Sequence, residues 1–266
     1  MRAKKSLGQH FLMHARIAER IAMVANLAHD DTVLEIGPGT GMLTRALLQR
    51  AGKVVAIEAD YELFLKLHIE FASEIADGRL KLIHGDIRKY PLNTAIAENS
   101  GYHVVANIPY YLTGEIFRMF LESSNQPSAI TLLVQKEVAE RIARTKKPLD
   151  FARGKESILS LSVKAYGTAK YEFTVPRGAF KPAPNVDSAV LTIRDISRKN
   201  FSTLEEERRF FALIHAGFAH KRKFVRNNLV DAGLPTGDIP LKARAEDLSL
   251  SVWISLSKIE GLGISR

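Results

Sequence analysis

The chain has 266 residues, 46% hydrophobic and 25% charged, which supports a sizeable folded core and excludes wholesale disorder. A net charge of +9 favours a polyanionic partner, nucleic acid before membrane, since no long basic amphipathic anchor or lipidation signal is present. Without cysteine there is no disulfide, thiol nucleophile or thiolate zinc site, and no metal site is expected from the His residues. Residues 1–10 lack the apolar core of a signal peptide, and no apolar stretch approaches membrane-spanning length. A soluble, cytoplasmic protein is expected.

A basic arm (Arg2, Lys4, Lys5) leads into Gly8-Gln9-His10-Phe11-Leu12. It reads either as a solvated tail or as a cover over a ligand site that touches phosphates. Ile17, Ile21, Val24 and Leu27 then predict a helix over residues 15–27. Residues 32–44 read as strand, glycine turn and helix. Gly37, Gly39 and Gly41 let the backbone approach a ligand, and a helix N-terminus stands behind them. Met42 stands where a dinucleotide fingerprint needs glycine, which favours a ligand without phosphates, such as S-adenosylmethionine.

The strand at 54–57 ends in Glu58 and Asp60. An acid at that tip suits a ribose diol, and Asp60 alternatively caps the helix carrying Leu63, Leu65, Leu67 and Ile69. The strand at 80–84 runs into Gly85-Asp86-Ile87, where Asp86 suits an adenine amine but taken alone reads first as a turn residue. A fourth strand, 104–106, ends at Asn107-Ile108-Pro109-Tyr110-Tyr111. The Asn107 side-chain oxygen and the Ile108 carbonyl are two acceptors for one amino group, Pro109 makes the turn rigid, and Tyr110 offers a stacking face. Alone, this block reads equally as a strand end with a proline turn.

A helix at 114–121, a strand at 130–134 and a helix from 135 through 142 follow. Residues 145–155 form a basic loop with Lys146, Lys147, Arg153 and Lys155. A further helix carries Ile158, Leu161 and Ala165, and strands near 171–175 and 188–193 flank a proline-rich loop at 180–187. Its Phe180 reads first as a core side chain and second as the opposite wall of a base pocket. Strands alternating with helices predict an α/β fold, a doubly wound and mainly parallel sheet, over residues 1–195. Residues 196–266 then form a small helical domain, with helices at 204–218, 221–229 and 247–257. Lys221, Arg222, Lys223 and Arg226 crowd the second of these, a surface suited to phosphates.

Several blocks together resemble the KsgA family, the small-subunit ribosomal RNA adenine dimethyltransferases. They are Gly8–Leu12, Glu35-Ile36-Gly37-Pro38-Gly39-Thr40-Gly41, Asn107–Tyr110, Phe180-Lys181-Pro182-Ala183-Pro184-Asn185-Val186-Asp187-Ser188, Lys221–Leu229 and Arg244–Leu248. They cover essentially the whole chain in the family's order. The resemblance implies a Rossmann-like S-adenosylmethionine-dependent methyltransferase sheet with a small helical C-terminal domain. It implies methyl transfer to the N6 amines of two adjacent adenines near the 3′ end of small-subunit rRNA, and a part in subunit biogenesis.

By position, the implied cofactor site is His10, Leu12, Gly37, Gly39, Glu58, Asp86, Ile87 and Asn107. Asn107, Ile108, Pro109 and Tyr110 would hold the target adenine, with Phe180 as a second wall. Lys4, Lys5, Lys146, Lys147, Arg153, Lys221, Arg222, Lys223 and Arg226 would contact RNA. The implied partner is the small subunit or its precursor; nothing in the sequence demands more than a monomer, and no metal is expected. One departure stands out: the family usually has Asn at His10, and imidazole is larger and titratable.

Three other readings compete. The erythromycin-resistance methyltransferases share the Asn-x-Pro-Tyr block but act on large-subunit rRNA. A non-catalytic ribosome-assembly or transcription factor would need none of Gly37, Glu58, Asp86 and Asn107. A nicotinamide-dependent oxidoreductase conflicts with Met42 and with residues 107–110.

Overall fold

The computed structural model describes residue 4 and residues 7–96, 101–143 and 155–259. The chain forms two compact units, Met1–Ala139 with Ala169–Ile196, and Glu140–Thr168 with Ser197–Arg266. A division at residues 195 and 196 places 140–168 with the sheet, whereas the structure groups them with the C-terminal helices.

The first unit contains β1 (Phe11–Leu12), α1 (Ala15–Val24), β2 (Thr32–Ile36), α2 (Met42–Leu48), β3 (Lys53–Glu58), α3 (Tyr61–Glu70), α4 (Ala72–Ala76) and β4 (Leu80–His84). It continues with α5 (Leu92–Ala95), β5 (Tyr102–Asn107), α6 (Thr113–Leu121), β6 (Ala129–Gln135) and the start of α7 (Lys136–Ala143), then β7 (Thr168–Val175), β8 (Phe180–Lys181) and β9 (Ser188–Arg194). Seven strands make one sheet in the order β4-β3-β2-β5-β6-β9-β7. The pairs β3–β4, β2–β3, β2–β5 and β5–β6 are parallel, and β9 runs antiparallel to β6.

The apolar runs explain the centre of this sheet. Val33, Leu34, Val54, Val55, Val104 and Val105 are all at most 1% exposed, the pattern of strands covered on both faces. Each such side chain contributes roughly 2 kcal/mol by burial. From β2 the chain winds outward through β3 and β4, then returns to β5 on the other side of β2. That reversal opens a crevice at the carboxyl ends of β2 and β5.

The segment after the basic arm is not a solvated tail. Phe11 pairs with Lys181 and Leu12 with Phe180 in a separate antiparallel ribbon, and the Met13 N–H donates to the Ala179 carbonyl at 2.9 Å. This pins residues 11–13 beside the sheet.

The second unit is helical: the rest of α7, α8 (Ile158–Tyr166), α9 (Leu204–Gly217), α10 (Val225–Asp231) and α11 (Leu250–Ser257). The α8 helix starts in a capping box between Ser157 and Ser160. Its Tyr166 ring meets Phe201 and Phe211, and its hydroxyl bonds Glu207, which Arg198 also holds at 3.0 Å. These contacts explain why 158–166 group with the C-terminal helices. The helix expected at 221–229 begins only at Val225, so Lys221, Arg222 and Lys223 lie in the preceding turn. Consecutive cations are disfavoured at the positive end of a helix. Among the described residues no helix is long and apolar enough to cross a membrane.

Candidate active site

Parallel register brings the carboxyl ends of β2, β3, β4 and β5 to one edge of the sheet, with Ile36 level with Ile57 and Ala106. There the first unit carries a cleft enclosing about 1070 Å³ of free space, part of it open to solvent. Residues 7–12, 35–40, 57–59, 85–88 and 107–112 supply most of its lining. The arm, the glycine turn and three strand tips therefore meet in one place.

At the glycine turn the Gly37 N–H donates to the Ile57 carbonyl at 2.9 Å, and a β-carbon at Gly37 would meet nothing within 4 Å. The absent side chain leaves room beside the cleft. Gly39 contributes differently from a ligand-facing amide, because its N–H donates to Glu58 Oε2 at 2.9 Å. Glu58 Oε1 accepts the Asp60 N–H at 2.8 Å. Burial raises the Glu58 carboxyl, with the Asp60 and Gly39 N–H groups working against it. Backbone donors on both oxygens hold the carboxylate in place, while its remaining lone pairs can accept from a diol.

Asp60 caps α3 through the Glu62 N–H at 3.0 Å and also accepts from Lys4 Nζ at 2.9 Å and Gln9 Nε2 at 3.3 Å. Burial pushes its carboxyl up, but these donors, Lys4 foremost, outweigh it and leave the group below its ordinary value. Lys4 is thus engaged with Asp60. Asp86 is engaged as well: Arg88 reaches both its oxygens, with Nε at 3.0 and 3.1 Å and Nη2 at 2.5 Å. That guanidinium holds the Asp86 carboxyl below the usual range.

The Asn107 amide nitrogen donates to the His10 carbonyl at 3.0 Å, which leaves Oδ1 as an acceptor. Among the described residues no hydrogen bond reaches the Ile108 carbonyl. Tyr110 bonds Ser188 Oγ through its hydroxyl at 2.6 Å, and its ring lies 5.9 Å from that of His10 at 23°. Burial raises the Tyr110 phenol. His10 Nδ1 lies 2.8 Å from the Pro182 carbonyl, a contact that only an Nδ1–H can make as a hydrogen bond. The donor that imidazole shares with asparagine is therefore spent inside the protein, and His10 serves the site through its backbone oxygen and its ring.

Leu12 and Ile87 line the cleft as apolar surface, 4% and 5% exposed. Phe180 does not: it is 4% exposed, packs in the core cluster with Leu12 and Val190, and is absent from the cleft lining. Pairing of β8 with β1 draws it inward, so the second-wall reading is set aside. Lys221 and Arg222 are exposed in the second unit, Arg226 is half-buried, and Lys223 pairs with Asp231 at 2.9 Å. Lys5, Lys146, Lys147 and Arg153 lie outside the described residues. His10 and His14 stand four apart, but among the described residues no group of three or more metal-ligating side chains assembles.

Sequence reasoning missed Glu35. It is 1% exposed, lines the cleft, and its Oε2 has no hydrogen-bond partner. Burial pushes its carboxyl up to about 8. The available signal was a lone acid inside the apolar run Val33-Leu34-Glu35-Ile36. Because the folded value exceeds the unfolded one, the native state binds the extra proton, and stability falls as pH rises from about 4.5 to about 8. Glu35→Gln should remove this slope. Thermal melts should show wild type losing roughly 2–3 kcal/mol relative to the variant between pH 6 and 8. Parallel pH profiles would contradict the assignment.

An anchored acid at the β3 tip, the apolar faces of Leu12 and Ile87 and the open space at Gly37 fit a ligand that carries a ribose. S-adenosylmethionine is such a ligand.

The ribosomal RNA adenine dimethylase family model matches residues 1–253. The "Ribosomal RNA small subunit methyltransferase A" of Dehalococcoides mccartyi is 38% identical, over 95% of this chain and 87% of that protein. The protein of the same name from Fusobacterium nucleatum is also 38% identical, over 96% of this chain and 97% of its own. Among solved structures, the 23S rRNA methyltransferase ErmE superposes with a TM-score of 0.72 at 24% identity, covering 93% of this chain and 98% of that one. A dimethyladenosine transferase from Plasmodium falciparum gives the same score and identity over 93% and 96%. At that identity the two structures establish the shared fold. With the family model spanning nearly the whole sequence, the chain belongs to the ribosomal RNA adenine dimethylase family.

Proposed function

We propose that this chain transfers methyl groups from S-adenosylmethionine to the N6 amines of two adjacent adenines near the 3′ end of small-subunit rRNA. The observation that carries the reading is Asn107. Its amide nitrogen is fixed on the His10 carbonyl, so its oxygen and the free Ile108 carbonyl stand together as acceptors beside Tyr110.

S-adenosylmethionine, when bound, supplies a methyl group activated by a sulfonium centre. Glu58 would hold its ribose, Asp86 its adenine amine, Leu12 and Ile87 its apolar faces, and Gly37 would leave it room. Asn107 Oδ1 and the Ile108 carbonyl would accept the two N–H bonds of the target adenine. An adenine amine is a weak nucleophile because its lone pair is delocalised into the ring. Two acceptors favour pyramidal nitrogen, aim its lone pair and stabilise the positive charge that develops there. Pro109 fixes the turn, and the tethered Tyr110 ring gives the unstacked base a face. The N6 proton becomes acidic only as the new bond forms, so it leaves to water without a strong side-chain base.

We assign Lys221, Arg222 and Arg226, in a C-terminal segment that serves RNA binding, to phosphates of the small subunit or its precursor. We take a monomer as the working form. The test gives labelled S-adenosylmethionine to unmodified small subunits, free small-subunit rRNA and large-subunit rRNA side by side. Label in small-subunit adenines is expected. Label confined to large-subunit RNA, or none anywhere, would overturn the proposal.

A further inference from the structure

Tyr111 belongs to the same sequence block as Asn107 and has no part in the chemistry above. It lines the cleft yet is 59% exposed, whereas Tyr110 is tied to Ser188. Both rings stand on one short 3-10 turn, Tyr110–Leu112, set behind Pro109 at φ −56. The orientation of Tyr111 is defined by the chain beneath it. A β-carbon on Gly8 would come within 3.0 Å of its Cε1 and 3.3 Å of its Cδ1, so the ring rests on bare glycine backbone. Gly8 also holds φ +59, a conformation that disfavours any side chain. The result is a ring seated along one edge and open to solvent elsewhere. Arg88, 38% exposed, lines the same cleft.

A seated but uncovered aromatic ring at the edge of a base-binding cleft has a specific use. An adenine drawn out of a strand leaves its neighbour with an unstacked face. Aromatic side chains replace that partner whatever the base, because every base has a π-face. We infer that Tyr111 is the stacking platform for the nucleotide adjacent to the target adenine, an RNA subsite at the cleft mouth separate from the methyl-transfer centre. For a substrate with two adjacent adenines, one occupies the cleft while the other stacks on Tyr111. The inference rests on the adenine-in-RNA reading of the cleft.

The test uses the full chain and a small-subunit rRNA fragment carrying 2-aminopurine beside the target adenine. Tyr111→Ala should raise KM for this RNA roughly 5- to 150-fold, the range of one lost base stack. S-adenosylmethionine affinity by calorimetry should stay within about twofold, as expected for a residue that touches only the RNA neighbour. The probe should stay quenched in the wild-type complex and brighten with Tyr111→Ala, and Tyr111→Phe should restore both readouts. Wild-type KM and quenching in Tyr111→Ala would overturn the inference. So would a matching loss of cofactor affinity, which would make Tyr111 a mere support for Gly8. If wild type binds the RNA but transfers no methyl group, the methylation reading fails, and the quenching comparison still decides Tyr111.

Discussion

Asn107→Ala lowers kcat by about 100- to 1,000-fold, the usual loss when one preorganised group facing developing charge is removed. The affinity for S-adenosylmethionine should change much less, by under about tenfold. The asymmetry follows from the two ends of the side chain. Its nitrogen is spent on the His10 carbonyl, which water can satisfy once the amide is gone. On the proposed reading its oxygen faces one N–H of the target amine, and the Ile108 carbonyl, which takes the other, does not replace it. Calorimetric Kd alongside single-turnover rates checks this. Equal losses in both would make Asn107 a cofactor ligand and remove it from the methyl-transfer step.

Gly41→Ala loses roughly 3 kcal/mol of stability, and the melting temperature falls by about 6–12 °C. Two costs add here. Gly41 sits at φ +76, where a β-carbon is strained. That β-carbon would also stand 2.6 Å from Phe71 Cε2 and 2.9 Å from Leu67 Cδ2. Both partners are at most 2% exposed and belong to the core cluster, so neither has space to yield. Gly37 supplies the contrast, since the space at its β-carbon position is open although it too holds a positive φ of +65. Melting curves of the two alanine variants check the difference. A Gly41→Ala protein that melts within a degree of wild type would contradict the packing argument.

The parts of the site that were legible in the sequence are those where chain punctuation and chemistry coincide. Gly37, Glu58, Asp86 and Asn107 each follow an apolar run, and parallel strands place such tips on one edge. What could not be read depends on partners distant in sequence. For Phe180 the core reading already came first, but the pairing with Leu12 that sets the second-wall reading aside is with a residue far away in the chain, and nothing around residue 180 encodes it. Gly39 and His10 carry donors of the expected kind, but Glu58 and Pro182 already take them. Arg88 lies only two residues from Asp86, yet spacing alone does not show that it closes on both carboxylate oxygens. The grouping of residues 140–168 with the C-terminal helices likewise rests on Tyr166 meeting Phe201, Phe211 and Glu207.

The central claim is that the Asn107–Tyr110 corner presents an RNA adenine for methylation at N6. Mass spectrometry of nucleosides from unmodified small-subunit rRNA, incubated with the protein and S-adenosylmethionine, tests it most directly. N6,N6-dimethyladenosine at two adjacent positions near the 3′ end is the expected product. Methylation on another base, on another adenine atom or at scattered adenines would contradict it.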